Sequence, residues 1–203
     1  RLVGSEMCIR DSNTTMNMDR LVIKQILGNE QVTQYYVVSL IGKTLVLLIA
    51  PINTIVISYL TKRKERLTRS QFGKAVLAGG GVSLVFFVAC QIGTPLFVWL
   101  FYRNLYESVK GIVTVVNLAQ ILGLFSAFLF ILVLTFTDER WQLWIQLAHF
   151  CILLVSSVLA ARTYGMMGFA VASLGANSLR VAAVVILGIV KAGKDKGDRN
   201  ADR

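Results

Sequence analysis

Histidine occurs once in this 203-residue chain, proline twice and cysteine three times, and only 16% of the residues are charged. Each scarcity excludes something. With His149 as the single histidine and no His/Cys/Asp/Glu set at ligand spacing, the sequence offers no metal centre. No Gly-rich loop follows a strand-like segment, so the phosphate-binding signatures of soluble enzymes are missing, and no cofactor is expected. Cys90 and Cys151 fall inside long apolar runs, where they read as small apolar residues rather than as a disulfide or ligands. The shortage of charge accompanies 55% hydrophobic residues and a mean hydropathy of +0.64, outside the range of soluble domains. These features describe an all-α polytopic membrane protein.

The third cysteine, Cys8, belongs to a stretch of different origin. Residues 1–12 read as translated sequencing adapter: the common tagmentation adapter encodes Leu2 through Asp11 codon by codon, and its partial codons are compatible with Arg1 and Ser12. They are expected to carry no fold information, and the authentic chain is expected to enter near Asn13, inside a longer gene product. The net charge of +10 survives their removal, because they contribute two basic and two acidic residues. The remaining positive charges gather at the ends of apolar runs, which favours membrane orientation over nucleic-acid binding.

Five apolar runs, 32–60, 75–102, 112–137, 144–161 and 166–190, are each long enough to cross a hydrocarbon core of about 30 Å. An incomplete helix over 18–28 precedes them, giving an expected bundle of six helices. Lys62, Arg63, Lys64, Arg66 and Arg69 follow the second helix, and Lys191, Lys194, Lys196 and Arg199 follow the last. Both clusters are expected on the cytoplasmic side, the second running from Lys191 into a polar tail over 192–203. Alternating crossings then place 103–110 outside, 138–140 inside and 162–165 outside, and the C-terminus returns to the cytoplasm. The basic loop reads first as a topology determinant, with binding of anionic membrane lipids secondary.

Lys43 lies roughly 16 Å along its helix from Val32, at membrane mid-depth, where a lone charge costs about 2.5–3.5 kcal/mol on insertion scales. Tyr36, Ser39, Lys43, Leu47, Ala50 and Thr54 share one stripe, while Ile41, Leu45, Leu48, Ile52 and Val56 form an apolar back. That pattern favours a cavity-facing lysine over one that snorkels to the interface. The short link Asn29-Glu30-Gln31 forces the first two helices to run antiparallel side by side. Asp19 and Arg20 then lie roughly 12–14 Å below Gly28, level with Lys43. An Asp19–Lys43 pair is therefore expected, leaving Arg20 as a surplus cation able to attract a phosphate. The bland alternative puts Asp19 and Arg20 at the cytoplasmic end of a tilted helix.

Further intramembrane polar residues come in pairs: Asn117 with Gln120, and Asn177 with Arg180. For Asn117 and Gln120, interhelical hydrogen bonding and cavity lining are equally weighted. Arg180, roughly 15 Å from Val190, reads as an ion-pair or cavity-facing cation. His149 reads as a packing residue before a proton relay. Gly168, Ala172 and Ala176 at four-residue spacing read as a close-packing seam, and Pro51, Pro95 and Gly79–Gly81 as places where helices bend.

Asp19-Arg20-Leu-Val-Ile-Lys with Leu27-Gly28, then Val32, Tyr35 or Tyr36, Pro51 and the basic run after Leu60, resemble the start of the second half of polysaccharide flippases of the multidrug, oligosaccharidyl-lipid and polysaccharide exporter superfamily. Tyr164-Gly165-Met-Met-Gly168-Phe-Ala170-Val-Ala172 is similar to the Gly-rich opening of that family's late helices. The resemblance implies the C-terminal bundle of a two-bundle, alternating-access transporter in the bacterial inner membrane. Its partners would be the N-terminal half of the same polypeptide and a lipid-linked oligosaccharide of the undecaprenyl-diphosphate type. Lys43, Arg20, Arg180, Asn117 and Gln120 are the expected substrate-binding residues, with Asp19 as counter-ion or coupling carboxylate. Two alternatives remain open: a multidrug or ion-coupled exporter of the same superfamily, and a membrane enzyme of polysaccharide synthesis. Outer loops of about four to eight residues are plain helix connections, which disfavours the enzyme. A positive cavity disfavours an exporter of cationic drugs.

Overall fold

The computed structural model describes residues 19–62, 69–134, 137 and 139–198. Residues 1–12, most of the basic run after Lys62, and residues 199–203 lie outside this set, as do the expectations placed on them.

The described residues are helical apart from short turns, with no strand among them. Helix α1 covers 19–27, α2 Asn29–Lys62, α3 Arg69–Phe101, α4 Arg103–Val109, α5 Val113–Leu134 and α6 Glu139–Asp198. Gly28 takes φ +96°, a conformation that a side chain disfavours, and its N–H donates to Ile23 O at 3.2 Å. The chain thus folds back sharply from α1 into α2. Gly165, at φ 62° and ψ −144°, likewise breaks α6 into two arms, 139–164 and 166–198. The seven-residue α4 reads in the sequence as plain loop. It forms because the Leu105 N–H donates to Tyr102 O immediately after the α3 terminus.

α5 is the centre of the bundle, packed against α2, α3 and both arms of α6. Half of its span is buried, against 6% of the corresponding stretch of α3. A helix apolar on all sides must be covered by protein or by lipid, and α5 is covered mainly by protein. α3 presents Leu77, Leu84, Val85, Ile92 and Trp99 outward, and the first arm of α6 presents Trp144, Leu147 and Leu159. Three segments are long and apolar enough to cross a membrane: Arg69–Phe101, Val113–Val133, and Leu143–Lys191, which contains both arms. The apolar exterior of these segments suits lipid as the surrounding solvent.

Two apolar clusters lie at opposite ends of α5. One joins Ile23, Tyr35, Val98, Val113, Ala161 and Phe169, with the Tyr35 and Phe169 rings edge to face at 5.2 Å. The other joins Phe72, Leu129, Phe130, Val133 and Val184. The α1–α2 turn, the end of α3, the start of α5 and the break in α6 therefore share one end of the bundle. The start of α3, the end of α5 and the end of α6 share the other. A polar layer occupies the level between.

Candidate functional site

That layer begins with the hairpin made by Gly28. Folding α1 back along α2 sets Asp19 against Lys43, with Nζ to Oδ2 at 2.7 Å and side chains only 15% and 12% exposed. Asp19 Oδ1 also accepts the Arg20 N–H at 2.9 Å. Each charge offsets the cost of burying the other, as the depth matching anticipates. On the same face of α2, Tyr35 meets Gln120 from α5. The approach is close here, since a Cβ on Gly42 would stand 2.9 Å from the Gln120 Cβ.

A cavity of about 160 Å³ opens beside the pair. Asp19, Tyr35 and Lys43 form one wall, Gln120, Gly123 and Leu124 of α5 another, and Gln146, His149, Ser157, Ser173, Asn177 and Arg180 of α6 the third. Asn177 orders this third wall. Its Nδ2 donates to Ala119 O at 2.9 Å, and its Oδ1 lies 3.2 Å from His149 Nε2. A backbone carbonyl can only accept, so the amide orientation is fixed and His149 must donate through Nε2. The neutral ring therefore keeps its lone pair on Nδ1. Gly123 faces Asn177 here, where a Cβ would stand in ordinary contact at 3.4 Å from Nδ2. The Arg180 guanidinium sits 5.3 Å from the Phe130 ring centre at the cavity's edge.

Of the expected site residues, Lys43, Asp19, Gln120 and Arg180 come together on the cavity. Arg20 does not join them; its guanidinium lies 4.1 Å over the Tyr36 ring. Asn117 faces α3. Its Nδ2 donates to Cys90 O at 3.1 Å and Gln91 Oε1 at 3.0 Å, while Oδ1 accepts from Thr94 Oγ1 at 3.2 Å. These bonds clasp α3 one turn before Pro95, whose missing N–H interrupts the helix ladder there. On the α2 stripe, Ser39 is buried and donates to Tyr36 O; the side chains of Leu47, Ala50 and Thr54 lie outside the described set. Gln146 and Ser157 were not singled out in the sequence. Together with His149 they fall at positions i, i+3 and i+11, one face of a helix, and that spacing is the signal that would have found them.

Searches against family models, curated proteins and solved structures found no match. Chemically, the cavity combines an ion pair, a further cation, three amide side chains, an imidazole and three hydroxyls with the apolar Leu124, Phe150 and Phe169. Such a mixed lining suits reversible holding of a polar group within an apolar surrounding.

Proposed function

We propose that this chain is the C-terminal six-helix bundle of an alternating-access flippase, moving lipid-linked sugar repeat units across the bacterial inner membrane for surface polysaccharide synthesis. The observation that carries the reading is the polar cavity between two apolar clusters, with Lys43, Asp19 and Arg180 on its wall. Ionisable groups at such depth mark a permeation path more often than a structural need, because their burial is costly. Among the described lining residues Lys43 and Arg180 stand beside the one carboxylate of Asp19, a pattern that favours a lipid diphosphate over a cationic drug. The short connections between helices also favour transport over an enzyme's extramembrane site.

Expression of the polypeptide that carries this chain in a flippase-deficient bacterial strain tests the proposal. Surface polysaccharide should be restored by the wild type, and Lys43→Ala should restore about a tenth or less, given the few kcal/mol tied to the buried pair. Restoration at the wild-type level by Lys43→Ala would remove the cavity from the mechanism. Absence of restoration by the wild type, at normal expression, would overturn the flippase reading itself.

A further inference from the structure

The α6 wall holds polar atoms to which the protein supplies no partner. Gln146 Oε1, His149 Nδ1 and Ser157 Oγ are buried without a hydrogen bond, and all three residues line the cavity. His149 is 5% exposed and Ser157 2%, so neither reaches bulk solvent. Leaving such an atom unpaired is costly, and three on one face specify what the space beside them accommodates.

The donor and acceptor pattern narrows the occupant. A Gln Oε1 only accepts, and His149 Nδ1 accepts as well, because Nε2 carries the proton toward Asn177 Oδ1. The occupant must therefore donate. A cationic donor would meet the like charges of Lys43 and Arg180 in the described lining. A fully ionised phosphate or carboxylate brings no proton for either acceptor. Neutral hydroxyl groups satisfy both conditions, and they can also exchange hydrogen bonds with Ser157 Oγ. The cavity, at about 160 Å³, exceeds by an order of magnitude the roughly 10–15 Å³ that one water needs.

We propose that the α6 wall is a binding subsite for a neutral, hydroxyl-rich group of the sugar or polyol class, with His149 Nδ1 and Gln146 Oε1 as its acceptors. Phe150 and Phe169 add apolar faces to the lining, against which the C–H side of a sugar ring can lie. The proposal rests on the flippase reading only for where the hydroxyl groups come from.

Because His149 is the one histidine of the chain, its imidazole nitrogen resonances report this site alone. In the complete chain, reconstituted into nanodiscs of phosphatidylethanolamine and phosphatidylglycerol, the proton should reside on Nε2. The Nδ1 resonance should shift and saturate as N-acetylglucosamine is added, and Ser157→Ala should weaken that response about threefold to tenfold. Undecaprenyl diphosphate, with and without a linked N-acetylglucosamine, distinguishes the sources. A shift with the glycolipid alone supports the subsite within a flippase. A shift with the free sugar and none with the glycolipid supports the subsite and counts against the flippase. Equal shifts from both lipids would mean that the wall reads the diphosphate, which overturns the subsite and leaves the flippase reading standing. A proton found on Nδ1, or an Nδ1 resonance unmoved by every sugar probe because the wall holds water only, would overturn the subsite in the wild-type chain, without recourse to any variant.

Discussion

An ammonium and a carboxylate 2.7 Å apart inside an apolar bundle stand or fall together. Removing one partner deprives the other buried charge of this ion pair, at a cost of about 3–5 kcal/mol. Asp19→Asn alone and Lys43→Met alone should each lower the thermal stability of the detergent-solubilised chain by about that amount. Asp19→Asn combined with Lys43→Met should recover most of the loss, because no charge then remains to be desolvated. Exchanging the charges, with Asp19→Lys and Lys43→Asp together, should exceed either single swap, and a double swap no better than the singles would count against direct contact. This pair was legible in the sequence because a short connection converts sequence distance into depth, although the turn is Gly28 alone and the expected link Asn29-Glu30-Gln31 is the first turn of α2. The fate of Arg20 was not, since its stacking on Tyr36 depends on the rotation of α1 about its axis, which depth arithmetic leaves free. His149 was legible as a buried group but not as an oriented one. Its tautomer is set by Asn177 and, behind that, by Ala119 O on another helix.

Helix α3 is held to α5 by a side chain rather than by apolar contact alone, and its proline makes that necessary. Asn117→Leu would remove three hydrogen bonds, at about 0.6 kcal/mol each on the bilayer average, and should cost about 2 kcal/mol in thermal unfolding. Because Asn117 lies off the cavity wall, the same variant should leave the response of the His149 resonances to sugar unchanged. A loss of that response with stability preserved would return Asn117 to the site. The break in α6 has a backbone cause. Gly165 lies in a region of φ and ψ open almost only to glycine, so Gly165→Ala should cost about 1–3 kcal/mol. Gly175, within the helix and with open space where a Cβ would go, should accept alanine with no loss, which separates the conformational effect from a packing one. At this scale the apolar runs located α3, α5 and the two arms of α6 to within several residues. They missed α4, because seven residues of mixed polarity fall below the length at which periodicity is informative.

Which helix ends share a side of the bundle follows from contacts that no single run of sequence contains. Val109 and Ala161 meet in one apolar cluster, while Phe72 and Val184 meet in the other. Cation–aromatic contacts mark both ends, with Arg103 over the Trp99 ring at 5.9 Å and Lys191 over the Trp141 ring at 5.8 Å. Tryptophan and basic residues favour the headgroup level, so these contacts suit two interfacial planes separated by the apolar spans. The succession of long apolar runs was legible in the sequence, but the crowding of α2, α3 and α6 around α5 was not, since the runs are comparably apolar. Reaction with a membrane-impermeant maleimide tests the arrangement in a chain whose Cys8, Cys90 and Cys151 are replaced by alanine. Glu107 and Arg162 are exposed at one end and Ser70 at the other. Glu107→Cys and Arg162→Cys should therefore react from the same side, and Ser70→Cys from the opposite side. If the basic residues near Ser70 and Lys191 face the cytoplasm, the first two react in intact cells and the third only after lysis. Opposite labelling of Glu107→Cys and Arg162→Cys would contradict the bundle, whereas a joint inversion of all three would preserve it and reverse only its orientation in the membrane.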